Sequence, residues 1–70
     1  MDIQAVVGRN VKQYREAKGL SQEQLAFEAD LHRTYVSGVE RGIRNPTVKI
    51  VSRLADALGV AAAKLLEEKG

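Results

Sequence analysis

Residues 20–42 read LSQEQLAFEADLHRTYVSGVERG, two short helical patterns joined by a tight corner. Ser21 is followed three residues later by Gln24, so each side chain can satisfy a free backbone donor at a helix start. Leu25, Ala26 and Ala29 then recur at helical spacing, while Gln22, Glu23 and Glu28 face elsewhere, and Asp30 ends the run. A second helix opens near His32 and turns Val36 and Val39 inward. Ala26 is small enough to let the two backbones approach closely. Two short helices crossing steeply form a helix-turn-helix, over about residues 21–41, whose second member can enter a major groove. The same cap, stripes and corner also fit an αα-hairpin in any small bundle.

The side chains left over on the second helix are His32, Arg33, Thr34, Ser37 and Arg41. None is acidic, and most donate hydrogen bonds. Arg33 carries a planar fork that pairs bidentately with guanine, a contact worth roughly 1 to 3 kcal/mol of base discrimination. Thr34 suits a thymine methyl or a base edge, and Ser37 lies about one turn after Arg33 on the same face. Gly38 has no side chain with which to read a base. Its cost of about 0.5 to 1 kcal/mol relative to alanine is read as tolerance rather than close approach.

Phosphate contacts form a separate class, because they give affinity and orientation without sequence information. Gln22 sits at the start of the first helix of the pair, where free backbone donors meet an anion. Arg41, Arg44, Asn45, Thr47 and Lys49 flank the far end of the second helix, and each is equally an ordinary exposed side chain. His32 fits a phosphate contact when protonated, or a neutral capping role.

Outward from this core, the chain reads as all-α with five helices. The first spans about Ile3–Ala17, with Ile3, Val7, Val11 and Tyr14 on one stripe and Gly19 as its stop. A fourth runs to about Leu58 with Ile50, Val51 and Leu54 facing inward, capped by Asn45 with Pro46 in its first turn, or by Thr47 instead. Gly59 closes it, and residues 61–67 form a last short helix. No alternating strand pattern occurs.

The chain has 70 residues, a length for one domain over 1–70 that buries about 60% of its unfolded surface, so dimerisation would help stabilise it. Val60, Ala61, Ala62 and Leu65 exceed what a small core needs and are read as a homodimer contact. Two copies on a two-fold axis would set their second helices about 34 Å apart, one turn of DNA. Net charge is only +2, but between residues 33 and 53 Arg33, Arg41, Arg44, Lys49 and Arg53 oppose the single acid Glu40. One face is therefore electropositive, as phosphate binding requires.

A single histidine, no cysteine and no paired carboxylates leave nothing from which to assemble a nucleophile, a metal site or a cofactor site. No segment reaches the ~20 apolar residues of a membrane span, so a soluble, cytoplasmic protein is expected.

LSQEQLA, YVSGVERGIRNP and LADALGV, in this order and separation, resemble the helix-turn-helix domain of the Cro and phage-repressor type, the Xre family. The resemblance covers nearly the whole chain. It implies a lambda-repressor-like fold, double-stranded DNA as partner, Arg33, Thr34 and Ser37 facing the groove, and Gln22 on a phosphate. It also implies an ion pair between Arg15 and Glu40, joining the first helix to the end of the recognition helix. LHRTYVSGVERGIRN leans toward the free-standing controllers of restriction-modification systems, which implies an operator-binding homodimer that regulates its own operon. The rival implication is a protein-interaction module, because the same fold serves antitoxins and bridging factors.

Overall fold

Local signals fix where each helix starts and stops. The computed structural model describes residues 2–68, so residues 1, 69 and 70 of the expected domain lie outside the described residues. Helix α1, Ile3–Ala17, begins where the Asp2 carboxylate accepts from the backbone N–H groups of Gln4 and Ala5. Beyond its last residue Gly19 turns the chain away, its positive φ of 75° letting Leu20 N–H return to Arg15 O at 3.0 Å. Helix α2, Gln22–Ala29, carries the reciprocal Ser21–Gln24 capping box at its start. The left-handed residue that closes it is Asp30, the one non-glycine with positive φ among the described residues.

Helix α3, Arg33–Glu40, follows after His32, and helix α4, Val48–Leu58, after Thr47. Thr47, not Asn45, caps α4: its hydroxyl accepts from Ile50 N–H at 3.2 Å, which leaves Pro46 outside the helix. Gly59 closes α4. The last helix, α5, Ala62–Leu65, is a single turn, shorter than the expected 61–67, and Ala61 gives it no side-chain cap.

The apolar stripes meet in one core of Val7, Val11, Leu25, Ala26, Ala29, Val36, Val39, Val51, Leu54, Ala55, Leu58 and Leu65. Helix α3 lies against both α1 and α2, while α4 packs on α2 and α5. Gly8 makes the α1–α3 contact close, since a Cβ there would press on the carbonyls of Val39 and Glu40 at the end of α3. No strand occurs among the described residues. The outcome is a five-helix, all-α arrangement that leaves the outer face of α3 open.

One expectation fails here. Leu65 is 0% exposed and belongs to the core, so it has no surface to give a second copy. Asn10, itself fully buried, donates from its amide to Leu65 O at 3.0 Å and Glu67 O at 2.7 Å, which ties the end of α5 inward. Of the other three residues assigned to that contact, Ala61 and Ala62 are exposed and Val60 is half-buried. The larger apolar surface is an open groove of about 330 Å³ that Ala62 also lines and whose rim includes Ile3, Val48 and Leu66. Val48 is 87% exposed and Leu66 47%.

Candidate nucleic-acid interface

The site is held by a buried carboxylate. Glu40, the last residue of α3, keeps its side chain only 3% exposed and accepts from Arg15 Nε at 2.6 Å and Arg15 Nη2 at 3.1 Å. Arg15 also donates through Nη1 to Leu20 O at 2.8 Å, in the link between α1 and α2. Gln22 Nε2 completes the set, donating to the same carboxylate at 3.0 Å. The hydrogen bonding that Arg15 donates to Glu40 is the main cause that raises the Arg15 pKa above its already high ordinary value, so the guanidinium stays charged. A fork-to-fork pair of this kind fixes orientation as well as energy. Here it locks the C-terminal end of α3 to α1 and to the first residue of α2.

Gln22 therefore has a structural partner. Its amide is part of the Glu40 network, yet its side chain still borders the outer surface, where it lines a shallow depression with Arg33, Thr34, Ser37 and Arg41. That depression joins all three residues expected to read bases with two of those expected to hold phosphate. Arg33, Thr34 and Arg41 are exposed, and Ser37 is partly so.

The remaining residues are more scattered. His32 occupies the cap position of α3 but makes no capping bond; its Nδ1 lies 3.2 Å from the Thr34 hydroxyl. Asn45 lines the apolar groove beside Pro46 and Val48, away from the depression. Thr47 has the structural task of capping α4, and Lys49 is exposed on that helix's first turn. Arg44 lies across α3 itself, with its guanidinium carbon 5.8 Å from the centroid of the Tyr35 ring. Tyr35 is a residue of this surface that the sequence alone does not point to. A cation over its face is the feature that draws attention to it, and no helical periodicity encodes that contact. Among the described residues no group of three or more His, Asp or Glu side chains is placed to hold a metal ion.

Two short crossed helices, the second presenting a donor-rich outer face, define a helix-turn-helix domain. A family model described as helix-turn-helix matches residues 11–65, and the chain belongs to that family. It is 47% identical to Control protein C.SmaI of Serratia marcescens over 100% of this chain and 83% of that protein. Among solved structures, the restriction-modification controller protein C.AhdI from Aeromonas hydrophila superposes with a TM-score of 0.86 at 45% identity, covering 89% of this chain and 94% of that one. The biofilm master regulator SinR, solved in complex with DNA, superposes at 0.83 with 34% identity over 87% of this chain and 98% of that one.

Proposed function

We propose that this chain is a sequence-specific transcriptional regulator that binds double-stranded DNA as a homodimer on a near-palindromic operator, as the autoregulatory controller of a restriction-modification operon. The observation that carries this reading is the shared depression of Gln22, Arg33, Thr34, Ser37 and Arg41. It gathers on one surface the side chains we assign to base reading and two of those we assign to phosphate, as a recognition helix seated in a major groove requires. Arg33 reads a guanine edge, Thr34 and Ser37 touch neighbouring bases, and Gln22, His32, Arg41, Arg44 and Lys49 meet the backbone. Likeness to C.SmaI and C.AhdI supports the controller role, and likeness to SinR solved with DNA supports the ligand.

Size supports the dimer. The fold measures 29 × 21 × 19 Å and carries one recognition helix, whereas successive major-groove faces lie about 34 Å apart. A second copy is needed to read both half-sites. The groove rimmed by Ile3, Val48 and Leu66 is the apolar surface we assign to it, with Ala62 at its edge. No helix among the described residues is long and apolar enough to cross a membrane. We place the protein in the cytoplasm beside its DNA, as a single binding domain without catalytic activity.

A second reading has one observation in its favour. Phe27 on α2 is 86% exposed, with Glu23 and Ala26 beside it, and an aromatic so placed suits a protein partner. Selection of fragmented genomic DNA by the purified protein at near-physiological salt separates the two. An enriched inverted motif upstream of its own gene supports the regulator; no enrichment above random fragments favours the partner-binding module.

A further inference from the structure

Gly38 and Arg44 form an arrangement that the recognition role does not by itself explain. Gly38 is buried in α3, and a Cβ built on it would lie 2.5 Å from Arg44 Cγ, 3.4 Å from Nε and 3.5 Å from Cδ. The first of these distances is below any real contact between carbon atoms. The Arg44 stem therefore occupies the space that any other residue at position 38 would fill. Its backbone is held in the same place, because the N–H groups of Ile43 and Arg44 both donate to Gly38 O, at 3.0 and 3.2 Å. From there the guanidinium reaches over the Tyr35 ring, about one helical turn back from Gly38.

We infer that Gly38 is a positioning residue for DNA recognition: its missing side chain is the slot through which the loop arginine Arg44 lays its guanidinium along the recognition helix, clamped on Tyr35. The recognition surface is then composite. Helix α3 supplies Arg33, Thr34 and Ser37, and the following loop supplies a further cation to the same helix. A guanidinium seated by packing on its stem and face loses less freedom on meeting an acceptor than one extended into solvent. The acceptor is the backbone phosphate oxygen assigned to Arg44 above or, in its place, a base edge of duplex DNA. This inference rests on the proposed DNA-binding role.

The experiment is a double-mutant cycle with Gly38→Ala, Arg44→Ala and both together, titrated on the operator recovered by selection and at several salt concentrations. Alanine favours helix, and the clash is with the Arg44 stem and not with backbone, so Gly38→Ala is expected to fold once Arg44 turns about its Cα–Cβ bond and leaves its seat. Each single variant is expected to weaken binding by on the order of tenfold, the scale of one lost charge-assisted contact, and the double variant to bind no more weakly than Arg44→Ala. A reduced salt slope in Arg44→Ala assigns the contact to a phosphate, and an unchanged slope with relaxed base preference assigns it to a base edge.

In free protein, NMR is expected to show Arg44 side-chain protons shifted by the Tyr35 ring in the wild type and not in Gly38→Ala. Wild-type binding by Gly38→Ala, losses that simply add in the double variant, or a Gly38→Ala chain that does not fold would each overturn the inference. Failure of the wild type to bind any DNA would instead overturn the functional reading, and the ring shift would still report whether Gly38 seats Arg44.

Discussion

Leu65 and Leu66 are neighbours in sequence with opposite fates: Leu65 is sealed in the core, while Leu66 stands at the rim of the apolar groove beside Ile3 and Val48. Their substitutions should therefore separate folding from association. Leu65→Ala removes fully buried methyl groups and is expected to cost about 2 to 5 kcal/mol in chemical denaturation. Leu66→Glu combined with Val48→Glu should leave the fold intact and yield a monomer in sedimentation equilibrium. A double variant that remains as dimeric as the wild type would remove the groove from the interface.

The Arg15–Glu40 pair is buried enough for its loss to be severe. Glu40→Ala leaves the Arg15 guanidinium and the Gln22 amide without their shared acceptor, and a cost of about 3 to 5 kcal/mol is expected in urea unfolding. A cost below about 1 kcal/mol would mean that the pair does not hold α3 in place. The pH dependence follows from the raised Arg15 pKa. Its folded value lies above its unfolded one, so its contribution is fully present below the unfolded value and is lost only as pH rises through the folded value. For an arginine that window lies beyond the ordinary working range, and the Arg15 contribution should stay constant through neutral pH.

Asn10 links the core to the groove. Its amide bonds the carbonyls of Leu65 and Glu67, the residues on either side of Leu66, while its own Oδ1 is buried without a partner among the described residues. Asn10→Ala should cost about 1 to 3 kcal/mol, because it leaves two carbonyls unbonded. It should also weaken self-association by loosening the segment that carries Leu66. Sedimentation at several concentrations checks the second effect; unchanged association would confine Asn10 to a folding role.

Much of this is legible in the sequence where chemistry is local. The Ser21–Gln24 box, Gly19 and Gly59 mark helix ends because capping involves residues only a few positions apart. The recognition face is legible for a similar reason, since Val36 and Val39 define the inner side of α3 and so leave Arg33, Thr34 and Ser37 outside. What escapes depends on the path of the chain between elements. Asn45 and Thr47 are both competent caps, and only the course of the loop selects Thr47. Leu65 and Leu66 both fit an apolar stripe, and the buried Asn10 clamp decides which turns inward. Gly38 reads as tolerance until the loop is seen to return Arg44 across it.

The central claim, that the outer face of α3 reads bases, is tested most directly by titrating wild type and Arg33→Ala against the selected operator and a panel with each base pair replaced in turn. Wild type is expected to discriminate at a G·C pair in each half-site by roughly 1 to 3 kcal/mol, and Arg33→Ala to lose discrimination there while retaining it elsewhere. Uniform weakening across the whole panel, with every preference preserved, would contradict it and reduce Arg33 to a backbone contact.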